Sequence, residues 1–194
     1  MEKQKKIVVV TGASSGIGRE FVRQLGYFYR GLDEIWVIAR RKEKLENLRE
    51  ESRVPLRIFA GDLMRKQVYK NYHDALREAG PDVRMLVNAA GFGKSGIFTD
   101  IAEEGKKLQT DMVDLNCRVL TRMTQMTLPW MGRGSRILNL ASAAAFCPQP
   151  GFAVYAATKA YVLSFSRALG AELSNCGIYV PAVCPGPVDK EFFS

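Results

Sequence analysis

The chain contains a single histidine, His73, and four cysteines, Cys117, Cys147, Cys176 and Cys184, none of them in C-x-x-C spacing. That scarcity argues against a Cys/His zinc site and against a Ser-His-Asp triad. His73 lies in the polar stretch KNYHDALREAG and reads as a solvated surface residue. No segment approaches the roughly 18 consecutive apolar residues of a membrane span. The apolar run Ile7-Val8-Val9-Val10 is too short for the core of a signal peptide, so a cytoplasmic location is expected. Internal repeats, low-complexity tracts and linker-like stretches are also missing. Charge of one sign is in excess, at a formal net +8, but the basic residues are scattered and alternate with acids, as in RRKEKLENLREE. Without an accompanying nucleic-acid motif, this pattern reads as solvated helix faces, with no nucleic-acid partner and no membrane span.

What is present suits one domain spanning residues 1–194. The chain is 47% hydrophobic and 25% charged, and it is long enough to bury a sizeable core. Short β-branched runs alternate with helical patterns. Strands are expected at 7–11, 34–39, 56–60, 84–88, 136–141 and 178–183. Helices are expected at 16–29, 42–51, 65–79, 103–131 and 152–175, the fourth broken near Gln109. This order predicts an α/β fold: a doubly wound parallel sheet with helices on both faces. Tyr161, Phe165, Leu169 and Leu173 repeat every four residues and predict an apolar stripe on the last helix.

The first strand runs directly into VVVTGASSGIG. Gly12 permits a tight turn, Gly16 lets the backbone approach a pyrophosphate, and Gly18 lets the following helix pack closely on the strand. The helix N-terminus then offers N–H groups and a positive dipole end to an anion. The spacing is G-x-x-x-G-x-G, and it lacks the Lys-Ser/Thr ending of a P-loop. At the end of the second strand the chain reads Val37-Ile38-Ala39-Arg40-Arg41, where NAD-binding folds carry an acidic residue. A guanidinium there can pair with a 2′-phosphate. NADP(H) is therefore expected over NAD(H), with Arg40 as the main contact and Arg41 behind it. Two solvated arginines at a helix start are the alternative.

Tyr155 and Lys159 stand four residues apart in Y-A-A-T-K and share a face if the segment is helical. A cation beside a phenol favours phenolate, so the pair reads as a tuned general acid–base. Packing of the tyrosine on the core, with the lysine reaching to water, is the competing reading.

Seven motifs occur in order: TGASSGIG at 11–18, Gly61-Asp62-Leu63, Asn88-Ala89-Ala90-Gly91, Asn116, Ser142, Tyr155-x-x-x-Lys159 and Pro185-Gly186-Pro187-Val188. On these the chain resembles the short-chain dehydrogenase/reductases over essentially its whole length. The stretches ARRKEKL and CPGPVD are similar to the DltE-like oxidoreductases of bacteria. The resemblance implies a Rossmann-type sheet of order 3-2-1-4-5-6. It also implies hydride transfer between the cofactor and a small-molecule carbonyl or secondary alcohol. Tyr155 would move the proton and Ser142 would hydrogen-bond the same substrate oxygen. Lys159 would lower the tyrosine pKa and hold the nicotinamide ribose, and Asn116 would anchor a water leading to Lys159. Gly12, Ser14, Ser15, Gly16, Ile17 and Gly18 would cradle the phosphates. Asp62 and Leu63 would flank the adenine, Asn88, Ala89, Ala90 and Gly91 would line the cofactor, and Pro185, Gly186 and Val188 would meet its nicotinamide end. A homodimer or homotetramer, paired through the helices carrying Asn116 and Tyr155, is implied in the same way.

Three positions depart from the family pattern: Ala89 replaces a frequent second asparagine, Ser15 a frequent basic residue and Lys190 a frequent threonine. Family members usually run longer, with a substrate-binding segment, another helix and a seventh strand after the sixth. A non-catalytic NADP(H) sensor on the same fold is the alternative function, although such proteins typically lose the tyrosine or lysine. Phe92, Phe98, Phe146 and Phe152 point either to an apolar substrate pocket or to packing beside the core, and the substrate itself is not legible.

Overall fold

The computed structural model describes residues 4–105 and 107–186. Six strands, β1 (Lys6–Thr11), β2 (Glu34–Ala39), β3 (Leu56–Ala60), β4 (Asp82–Asn88), β5 (Arg136–Leu140) and β6 (Ala182–Val183), form one parallel sheet of order β3-β2-β1-β4-β5-β6. The central strands β1, β2 and β4 are buried almost throughout, which is why they appear in the sequence as continuous apolar runs.

Helices cover both faces. On one face α1 (Gly16–Phe28) and α2 (Lys42–Glu51) set Val22, Leu25, Leu45 and Leu48 against Val8, Val10, Ile35 and Val37. On the other, α3 (Lys66–Ala79), α6 (Leu120–Thr127) and α7 (Ala153–Leu173) close over Ile7, Val9, Trp36, Ile38 and Leu86. Trp36, Phe59 and Tyr72 meet there at ring-centroid distances of 5.4–6.1 Å. Among the described residues no helix is long and apolar enough to cross a membrane.

Three expectations need correction. The helix expected at 103–131 is several pieces: α4 (Phe98–Glu104), α5 (Leu108–Val113), a π-helical turn over Asp114–Val119, α6, and a short 3₁₀ turn over Leu128–Trp130. The first break follows α4 at Gly105, just before Gln109. The strand expected at 178–183 shortens to Ala182–Val183, although Tyr179, Pro181 and Val183 still accept N–H groups of β5 and the residue after it. Pro181 has no N–H to return, so the ladder is one-sided there. On α7 the fully buried residues are Tyr155, Ala156, Thr158, Lys159, Val162 and Ser166, while Phe165, Leu169 and Leu173 of the expected stripe pack half-buried against the core. Tyr161 is exposed and stacks on Phe165 at 6.0 Å. The polar half of this buried face belongs to the site described next.

Candidate active site

The glycine turn joins β1 to α1. Gly12 has φ +69°, and a Cβ on it would come within 2.8 Å of the Ala89 and Ala90 backbone. A Cβ on Gly18 would lie 2.5 Å from the Gly12 carbonyl oxygen. Gly16, at φ +53°, faces open space with nothing within 4 Å. Ser15 is the N-cap of α1 but makes no side-chain capping bond. Two glycines therefore permit close backbone approach, and the third opens a cradle in front of a helix N-terminus. That arrangement fits a pyrophosphate. Ser14 is buried and Ile17 half-buried alongside.

Ser14 accepts a hydrogen bond from Arg41 Nε at 3.3 Å, which ties the turn after β2 to the glycine loop. Both adjacent arginines are exposed, and Arg41 makes this contact. In the turn after β3, one carboxylate oxygen of Asp62 accepts the Met64 N–H at 2.9 Å. The Leu63 side chain packs into the core, and Tyr69 donates to its carbonyl. Only the backbone of Leu63 remains to flank a ligand.

Asn88 differs from expectation. Its amide points inward, donating to Asn139 Oδ1 at 2.9 Å and Thr124 Oγ1 at 3.2 Å, so it braces β4 against β5 and α6. The backbone beyond it faces the cradle. Thr11 Oγ1 accepts both the Ala89 and Ala90 N–H groups at 3.1 Å, clamping the ends of β1 and β4 together. Gly91 leaves room for Asn116, whose Oδ1 would lie 2.8 Å from any Cβ there.

Asn116 sits in the π-helical turn, 1% exposed. Such widened turns recur at functional sites. Its Oδ1 accepts the Phe92 N–H at 3.0 Å, and its Nδ2 donates to the Phe92 carbonyl at 2.9 Å and to Thr158 Oγ1 at 3.0 Å. Both amide hydrogens are thus engaged with protein, which leaves no side-chain donor for the expected relay water.

Tyr155 and Lys159 share the buried face of α7, with the Lys159 nitrogen 5.8 Å from the Tyr155 ring centroid. Lys159 Nζ donates to the Leu140 carbonyl at the end of β5, at 2.8 Å. Burial lowers its pKa from 10.5 to about 8, with the sulfurs of Cys117 and Cys184 opposing. Cys117 is itself pushed up to about 11 by burial. It is therefore a neutral thiol near pH 7 and supplies no countercharge there. The Tyr155 pKa is raised, chiefly by burial, and a hydrogen bond with the Ser142 side chain opposes the rise. Within the protein alone, desolvation outweighs the lowering expected from the lysine, so the phenol stays protonated at neutral pH. Ser142 follows β5 and accepts the Ala144 N–H at 3.2 Å, while Pro185 accepts the Ala143 N–H at 2.9 Å and so joins the same loop. Gly186 is exposed beyond it; Val188 and Lys190 lie outside the described residues.

Ser142, Tyr155, Lys159 and Asn116 therefore converge at the C-terminal ends of β4 and β5, beside the glycine cradle at the end of β1. This is where open parallel sheets bind their ligands. Phe92 and Phe152 pack in the apolar cluster around Tyr155, with 5.9 Å between the Phe152 and Tyr155 rings, while Phe98 and Phe146 are exposed. Two structural contributors, Thr11 and Thr158, escaped the sequence reading. Their only signal was a hydroxyl residue placed inside a motif.

Comparison with known proteins agrees with this geometry. A family model for short chain dehydrogenases matches residues 6–194. Sulfoacetaldehyde reductase 2 of Chromohalobacter salexigens is 34% identical over 96% of this chain and 74% of its own length. The very-long-chain 3-oxoacyl-CoA reductase of Anas platyrhynchos is 34% identical over 91% of this chain, which spans 58% of that protein. A short-chain dehydrogenase from Sphingobium yanoikuyae, solved in complex with NADPH, superposes with a TM-score of 0.82 at 34% identity, covering 96% of this chain and 73% of the other.

Proposed function

The chain belongs to the short-chain dehydrogenase family, and on that footing we propose that it is an NADP(H)-dependent oxidoreductase interconverting a carbonyl and a secondary alcohol, with Tyr155 as general acid–base. The observation that carries this reading is the group at the end of β5: Tyr155 and Lys159 share the buried face of one helix, Lys159 is fixed to the Leu140 carbonyl, and the Ser142 side chain opposes the rise in the Tyr155 pKa. A phenol protonated at neutral pH can give its proton to the oxygen of a carbonyl as it is reduced. The bound nicotinamide would supply the hydride. Ser142 and Tyr155 would direct their hydroxyls at the oxygen on which negative charge develops. Lys159 would bring positive charge to the phenolate left behind and hold the cofactor ribose. The glycine turn from Gly12 to Gly18 would hold the pyrophosphate. Asp62, with its second carboxylate oxygen, and the backbone of Leu63 and of Ala89 to Gly91 would line the remainder.

Preference for NADP(H) over NAD(H) rests on Arg40 and Arg41 standing where a carboxylate would otherwise meet the ribose. The link from Arg41 to Ser14 further supports it, since it holds a guanidinium beside the phosphate cradle. The subunits are proposed to pair through the faces of α5 with its following π-helical turn and of α7, where Val113 and Tyr161 are exposed.

The test is a carbonyl panel read by NADPH absorbance, containing an aryl ketone, a 3-oxoacyl thioester and sulfoacetaldehyde, run on the wild type and on Tyr155→Phe. The expected result is turnover of at least one carbonyl by the wild type. Loss of a general acid predicts a fall in kcat of about 10²–10⁴-fold in the variant, with NADPH binding retained. Wild-type rates in Tyr155→Phe would defeat the mechanism.

A further inference from the structure

We propose that Thr158 is a positioning residue that couples the Asn116 carboxamide to the turn of α7 carrying Tyr155 and Lys159. The inference rests on the reading above, in which those two residues perform the chemistry. Thr158 is 3% exposed. Its hydroxyl donates to the Tyr155 carbonyl at 2.8 Å, a back-bond that helical threonines commonly make. The second bond is not generic: the same oxygen accepts Asn116 Nδ2 across the helix interface at 3.0 Å. Asn116 in turn holds both the N–H and the carbonyl of Phe92. A continuous chain therefore runs from the loop after β4, through the π-helical turn, to the main chain of Tyr155. The turn of α7 is thus held from two sides, by Leu140 through the Lys159 side chain and by Asn116 through Thr158.

The hydroxyl does this, not the bulk of the side chain. Valine at 158 keeps the shape but removes the acceptor for one Asn116 hydrogen, leaving a buried donor unpaired. Relaxation of Asn116 toward Phe92 alone would then free the catalytic turn to drift. A displacement well below an ångström is enough to affect a step that depends on proton-transfer geometry. Serine at 158 keeps the hydroxyl and gives up only a methyl group.

The experiment compares the wild type, Thr158→Val and Thr158→Ser with NADPH and whichever panel carbonyl the wild type reduces fastest. Hydrogen–deuterium exchange is followed in parallel on peptides covering 89–93 and 153–161. Expected for Thr158→Val is a kcat lower by about tenfold or more, a KM for NADPH within about twofold, and an alkaline limb of the pH profile moved upward as Lys159 loses its hold beside the phenol. Both peptides exchange faster. Thr158→Ser restores kcat, the alkaline limb and the exchange rates. Wild-type kcat and exchange in Thr158→Val overturn the proposal. So does a loss that serine fails to restore, since the methyl group and not the hydroxyl would then be responsible. Full activity of Tyr155→Phe in the same assay would mark failure of the underlying function. In that case the exchange measurement, which needs no turnover, upholds or overturns the clamp by itself.

Discussion

Replacing Lys159 by methionine should abolish turnover and yet make the fold more stable at neutral pH. The lysine is 4% exposed, and its pKa falls from 10.5 to about 8 because burial disfavours the ammonium. At about 1.4 kcal/mol per pKa unit, that fall amounts to about 3 kcal/mol against holding the charge in place. The folded pKa lies below the unfolded one. Between about pH 8 and pH 10.5 the unfolded chain therefore binds a proton that the folded chain does not, and stability rises with pH through that window. Below pH 8 the full penalty is present. Methionine removes it and forfeits the bond to the Leu140 carbonyl, worth about 1.5 kcal/mol for a charged donor. The net expectation is a variant more stable by about 1–2 kcal/mol at pH 7, or about 3–6 °C in Tm for a chain of this size. The assay is urea denaturation of both proteins at pH 7 and pH 9.5. Over that interval the wild type should gain about 2 kcal/mol on the variant, because most of the ammonium has by then been lost in the folded state. A stability difference that does not change between the two pH values would refute the reasoning. So would a wild type clearly more stable than the variant at pH 7.

Two further predictions concern the cofactor cradle. Arg41→Asp should lower kcat/KM for NADPH by about ten- to a hundredfold and leave NADH use nearly unchanged. If Arg40→Asp has that effect and Arg41→Asp does not, the order of the two arginines read from the sequence stands. Gly18→Ala should destabilise the fold by about 1–3 kcal/mol, because its Cβ would lie 2.5 Å from a backbone oxygen that cannot move aside. Thermal unfolding at the wild-type temperature would contradict that packing.

Much of the fold was legible because its strands are buried on both faces. Ile7 to Val10 and Ile35 to Ile38 present unbroken β-branched or aromatic runs, and their limits matched within a residue. Elements whose form depends on tertiary partners were not legible. The π-helical turn exists to carry Asn116 against Phe92 and Thr158, and nothing in the local sequence DLNCRV announces it. On α7, hydropathy pointed to Tyr161, Phe165, Leu169 and Leu173. Phe165, Leu169 and Leu173 do pack against the core, but the helix buries Thr158, Lys159 and Ser166 more fully, because each finds a polar partner in Asn116, Leu140 or Asn139. Buried polar residues defeat a pattern built on apolar spacing. The site was readable where geometry needs a rare residue, as at Gly12 and Gly18, or a fixed interval, as at Tyr155 and Lys159. Thr11 and Thr158 were not, since threonine occurs equally well where its hydroxyl holds nothing.

The same contacts explain how a site assembled from separate segments keeps its shape. Each group is tied to the end of a central strand. Thr11 fastens β1 to the backbone after β4, Asn116 fastens that backbone to α7, and Lys159 fastens α7 to the last carbonyl of β5. The bonds at the strand ends go to main-chain atoms, so the anchor points move only if the sheet moves. A rigid frame of this kind can hold an ammonium and a phenol in an environment that opposes ionisation of both. In a looser frame Lys159 would turn toward water and recover its ordinary pKa. The neutral-pH instability predicted for the wild type and the coupling assigned to Thr158 are therefore two consequences of one arrangement. The sheet forces the lysine to stay, and the hydroxyl chain keeps the tyrosine in register with it.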